Sequence, residues 1–199
     1  MLNRKLSKSI ETFYAEMSQV FSDFQQKSML ACPPGCGQCC FKPDICCSPF
    51  ELLPLALHLL DVGLAEFFLE KARDQKDGRC PLLEIEDEKS GKGRCTQYAY
   101  RPFICRAFGV SARYGKMSKI DYSICRVLKL NNEHSAALTH AYDEVPFIEI
   151  WRKKFEVLNP HLQEREIPIN QALAIVLEKV LIWNSYQIAS SPDDTYFSI

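Results

Sequence analysis

The chain has 199 residues, 24 basic and 25 acidic side chains, and ten cysteines. Apolar residues make up 47% and charged residues 25%, ordinary for a soluble domain long enough to bury one core. A net charge of −1 excludes a polybasic nucleic-acid binder and an acidic disordered tail, and no apolar stretch reaches the ~18 residues of a membrane span.

Arg4, Lys5 and Lys8 are followed by Glu11, Glu16 and Asp23 rather than by an apolar block, so the start does not read as an export signal. A cytoplasmic chain is expected, in which thiols stay reduced and clustered cysteines bind metal or do redox chemistry. Residues 2–30 repeat Leu2, Leu6, Ile10, Phe13, Met17, Val20, Phe21 and Phe24 at steps near three and four, which predicts an amphipathic helix. Pro33, Pro34 and Gly35 are expected to stop it, and residues 32–47 form a loop with six cysteines. Ser48-Pro49-Phe50-Glu51 is a capping box with proline at the first helical position. It opens a helix over 49–60 that Pro54 bends or closes early. A second helix spans 64–75. Residues 76–94 hold at most a small strand or hairpin around Leu82, Leu83 and Ile85. Short elements carry Cys95, Cys105 and Cys125, and helices follow over 133–143, 145–158 and 169–187, with Asn170 expected to cap the last.

The expected fold is mainly α, a helical domain with a central cysteine-rich, metal-binding loop region and little or no β. Its parts are an N-terminal amphipathic helix (1–31), a cysteine-cluster region (32–126) and C-terminal helices on the same domain (127–199).

All ten cysteines lie between Cys32 and Cys125. Thiols on a glycine-rich turn let several sulfurs approach one metal at about 2.3 Å. Cys32, Cys36, Cys39 and Cys40 are joined by Cys80, Cys95, Cys105 and Cys125 from distant positions. A structural zinc site needs only four ligands, so two metal sites, or one cluster with spare thiols, are expected. Neighbouring side chains diverge in a helix or strand, so Cys39 and Cys40 are expected to serve different metals, or one a metal and one the core. Cys47 reads as a small buried hydrophobe; for Cys46 that reading and a ligand role both stand. Arg101 and Arg106 flank Cys105 and are candidates to offset thiolate charge and donate to sulfur; the alternative is an ordinary surface charge or a pair with an acid such as Glu51. Tyr98, Phe103 and Phe108 are expected to shield the site. His58, His134, His140 and His161 are scattered, and Asp44 reads as a turn residue.

Cys36-Gly-Gln-Cys39-Cys40, then Cys80-Pro-Leu-Leu, then Cys95-x-x-Tyr98-x-x-Arg101-Pro102-x-x-Cys105-Arg106-x-Phe108 resembles the CxxCxxCC family of zinc- or iron-chelating cysteine-cluster proteins. The resemblance covers about residues 32–126. The family's opening CxxC is here Cys32-x-x-x-Cys36, one residue longer, and Cys46-Cys47 lies outside the pattern. The family also resembles the cysteine-rich part of bacterial flagellin lysine N-methylase, which implies an iron–sulfur cluster and methyl transfer.

The expected function is metal binding, with a four-iron, four-sulfur cluster or zinc held by thiolates and a redox or metal-handling role. One alternative is a cluster-dependent, lysine methylase-like enzyme. The spacing from Cys32 to Cys39 also matches radical S-adenosylmethionine enzymes, but Gln38 replaces their usual aromatic and no βα repeat follows. The other alternative is a zinc-stapled interaction module whose N-terminal helix takes a protein partner.

Overall fold

The computed structural model describes residues 4–33, 36–129, 144–158 and 165–190. The helix expected over 133–143 lies outside them.

Helix α1 spans Arg4–Ser28 and turns Ile10, Phe13, Tyr14, Met17, Phe21 and Phe24 inward, as the repeat predicts. It ends before the prolines. Met29 takes a left-handed φ of 57°, the position that glycine more often fills after a helix, and the Ser28 hydroxyl donates to the Phe24 carbonyl at 2.7 Å.

The capping box forms as read. The Glu51 amide donates to Ser48 Oγ at 3.4 Å, and the Ser48 amide donates to the Glu51 carboxylate at 3.2 Å. The box starts a 3-10 turn, Pro49–Leu52, that runs into α2, Leu53–Asp61. Pro54 does not end the helix, because it sits in the first turn of α2, where a missing amide hydrogen leaves no bond unmade. Helix α3 is Ala65–Asp74, α4 is Phe103–Ala107, α5 is Arg126–Lys129, α6 is Ile148–Glu156 and α7 is Ile169–Ser190. Asn170 lies inside the first turn of α7, and its side-chain amide donates to the Gln75 carbonyl at 3.1 Å.

The expectation of little or no β is overturned. Among the described residues six strands form three two-stranded antiparallel sheets, so the fold is mixed α and β while helices still predominate. Strands β2 (Leu83–Asp87) and β3 (Lys92–Cys95) pair with a register shift between Ile85 and Asp87, the small hairpin that the Leu82–Ile85 run allows. Strands β4 (Val110–Tyr114) and β5 (Ile120–Ile124) pair one to one. Strands β1 (Cys46–Cys47) and β6 (Ile167–Pro168) are two residues each and join distant parts of the chain. Such strands exist only through tertiary pairing, so no local pattern announces them.

The main core joins α1, α2, α3, α4, α6 and α7. At its centre the Phe13 ring lies 5.2 Å from Phe155 and 5.7 Å from Trp151 between ring centres. A smaller core of Phe24, Leu30, Val110, Ala112, Leu128 and Val145 seats the β4–β5 hairpin. Among the described residues no helix is long and apolar enough to cross a membrane.

Candidate metal centre

The loop after Cys36 folds as a tight turn. The Cys40 amide donates to the Gly37 carbonyl at 2.8 Å, and the Lys42 amide to the Cys39 carbonyl at 3.3 Å. On this turn the adjacent sulfurs of Cys39 and Cys40 converge to 4.0 Å. The expected divergence holds for helices and strands, and the segment is neither. Two sulfurs bound to one tetrahedral zinc at about 2.3 Å lie about 3.8 Å apart.

Backbone bonds bring the other thiols to this turn. The Cys80 amide donates to the Cys40 carbonyl at 3.2 Å, and the Leu83 amide to the Cys80 carbonyl at 3.1 Å. Leu83 then pairs with Cys95 across β2 and β3. Cys36 bridges Lys92 at the start of β3. Helix α4 supplies Cys105. The result is a cavity of about 410 Å³ lined by Cys32, Cys36, Cys39, Cys40, Cys80, Cys95 and Cys105, with Leu82, Phe108 and Ile169 as apolar wall. Cys125 is not among the lining residues. It closes the base of the β4–β5 hairpin through its amide, 2.8 Å from the Gly109 carbonyl, and a Cβ on Gly109 would lie 3.5 Å from Cys32 Sγ. Among the described residues no three of these side chains are close enough to hold one ion as they stand; they surround a shared space. Cys47 is wholly buried in the main core, Cys46 is half-buried in β1, and neither lines the cavity.

Five of the lining thiols are pushed toward the protonated form. Burial, with Cys125, Cys36 and Cys39 adding to it, pushes Cys32 up to about 11. The contact with Cys39 favours the Cys40 thiolate, but the hydrogen bond to Cys80 and burial outweigh it and push Cys40 up to about 12. Cys39 is raised by its bond to Cys40 and by burial; Cys95 and Cys105 are raised by burial. A bound cation would therefore displace protons from this set.

Arg94 and Arg101 both line the cavity; Arg94 pairs with Glu84 at 2.6 Å, and Arg101 acts on the thiols. Arg101 favours the thiolates of Cys32, Cys39, Cys95 and Cys105. Its guanidinium sits 3.5 Å over the exposed Tyr98 ring and donates to the Tyr98 carbonyl at 3.1 Å. Arg106 turns the other way. It donates to the Arg101 carbonyl at 2.8 Å and to Ser18 Oγ at 2.6 Å, and covers the Tyr14 ring at 4.6 Å. Phe103 is fully buried. Glu51 pairs with Arg152, at 2.9 Å, and with neither of these arginines. His58 stacks on Tyr100 at 4.2 Å, while His134, His140 and His161 lie outside the described residues. Asp44 is exposed.

Sequence reading passed over Gly93. A Cβ there would lie 2.6 Å from the Glu84 carbonyl oxygen, and one on Gly37 would lie 3.1 Å from the Gly93 carbonyl. These two glycines let the cysteine turn lie directly on β3. Gly93→Ala will therefore push β3 away from β2 and shift Cys95 with it. The expected result is less bound metal per chain with the helical circular dichroism signal unchanged.

A family model described as "Putative zinc- or iron-chelating domain" matches residues 31–134, just over half of the chain. Searches of curated proteins and of solved structures return no match. With that match extending over all seven thiols of the cavity, the chain belongs to the CxxCxxCC family.

Proposed function

We propose that the chain holds an iron–sulfur cluster through thiolates of Cys40, Cys80, Cys95 and Cys105, in a metal-handling or redox role. The observation that carries this reading is the cavity of about 410 Å³ with seven thiols around it. The sulfurs enclose a space rather than meet at a point, which suits a multi-atom cluster better than a lone ion with bonds of about 2.3 Å. Arg101 offsets part of the thiolate charge. Leu82, Phe108 and Ile169 limit water at the wall, and charge and solvent access are two of the levers that set a cluster's potential. When bound, such a cluster supplies one-electron chemistry.

Zinc is the second reading, favoured by the 4.0 Å separation of Cys39 and Cys40. Purification without oxygen separates the two. A brown protein absorbing near ~400 nm, with iron and acid-labile sulfide in equal amounts, is the expected result. A colourless protein loaded with zinc overturns the cluster. A chain that carries no metal and takes up none overturns both.

A further inference from the structure

The two cations on the cavity wall are not equivalent. Arg94 is neutralised by Glu84. Arg101 donates only to carbonyls among the described residues, of Tyr98 at 3.1 Å and Cys105 at 3.5 Å, and to no carboxylate. Its charge is left for the thiols. The segment that carries it is slight: Tyr98–Tyr100 is a single 3-10 turn between Cys95, at the end of β3, and Cys105 on α4. A turn of that length needs outside support to keep one shape. The half-buried Arg106 side chain supplies it. Its Nε donates to the Arg101 carbonyl at 2.8 Å and its Nη2 to the Ala99 carbonyl at 2.5 Å, so both sides of Tyr100 are held. Its Nη1 donates to Ser18 Oγ at 2.6 Å and its plane covers the Tyr14 ring, which anchors the fork to α1. The two guanidinium groups repel each other, so hydrogen bonding and not charge keeps Arg106 in this place.

We infer that Arg106 is a positioning residue for the metal centre: it straps the Tyr98–Arg101 turn to α1 and so holds the Arg101 guanidinium at the cavity wall. Arg106 does not line the cavity and acts through Arg101. The role needs a planar fork with donors pointing three ways, which lysine lacks although it carries the same charge. This rests on the reading of the cavity as a metal centre, and deepens it.

The test is a double-mutant cycle on the affinity of the reduced 199-residue chain for Cd²⁺, measured by competition with a chelator, each variant being checked by circular dichroism. Arg101→Gln is expected to weaken binding about 10–100-fold, the range for groups that support metal ligands without touching the metal. Arg106→Lys should weaken it in the same range, and the double variant should lose no more than Arg101→Gln alone. A folded Arg106→Lys chain with the parent's affinity overturns the inference, as do losses that multiply in the double variant. If Arg106→Lys does not fold, Ser18→Ala takes its place. It should weaken binding in the parent and change nothing beside Arg101→Gln, and an unaltered affinity in the parent overturns the inference. An Arg101→Gln chain that binds as the parent does overturns it too and leaves metal binding standing. A parent chain that binds no Cd²⁺ overturns both.

Discussion

Arg152→Ala will destabilise the fold by about 3–5 kcal/mol, the range for breaking a buried ion pair by removing one partner. Glu51 is fully buried. Its Oε1 accepts from Arg152 at 2.9 Å and from the Ser48 amide at 3.2 Å, while its Oε2 has no partner among the described residues. Arg152 also reaches Glu166 at 2.8 Å and covers the Phe103 ring at 4.1 Å, so it joins the capping box to the helix that carries Cys105. Adding Glu51→Gln to Arg152→Ala removes the stranded charge and should recover much of the loss. The sign of the pH effect follows from Glu51. Burial raises its carboxyl above the ordinary 4.5, against the pull of Arg152. A raised carboxyl is protonated more readily in the folded chain. Its penalty is absent below 4.5 and grows as pH rises through the raised value. The Arg152→Ala variant should therefore be weakest at neutral pH and regain stability toward pH 4.5. Urea denaturation across that interval measures both effects; a variant as stable as the parent at neutral pH contradicts the buried pair.

Deleting residues 1–28 will leave a chain that does not fold. Helix α1 contributes Ile10, Phe13, Tyr14, Met17, Phe21 and Phe24 to the two cores. Truncating one large buried apolar side chain costs about 2–5 kcal/mol. The sum exceeds the roughly 5–15 kcal/mol by which whole domains are stable. Without α1, Trp151, Phe155 and Phe103 lose the rings that cover them. The expected product is insoluble or melts without cooperativity, and the milder Phe13→Ala should cost about 3–5 kcal/mol. A truncated chain that stays folded and metal-loaded would instead free the helix for a partner, the interaction-module alternative.

What was legible in the sequence was whatever depends on near neighbours. The apolar repeat of α1 and the Ser48–Glu51 box needed only local spacing. So did the surplus of thiols, since turn-borne cysteines declare themselves by position. The β4–β5 hairpin did not. Val-Ser-Ala-Arg-Tyr and Ile-Asp-Tyr-Ser-Ile alternate weakly, and their inward faces are defined by Phe24 and Leu30, far away in the chain. The direction of an arginine was equally hidden. Arg101 and Arg106 sit near Cys105 alike, yet Ser18 and Tyr14 of α1 draw one of them away from the cavity. The need for Gly93 was hidden as well, because its reason is the Glu84 carbonyl opposite it, on the other strand.

X-ray absorption at the metal edge of the purified 199-residue chain reads the ligand atoms themselves. Thiolate ligation from this cavity predicts a first shell made only of sulfur at about 2.3 Å, with iron neighbours beyond it if the cluster is present. A first shell dominated by nitrogen or oxygen would contradict the account.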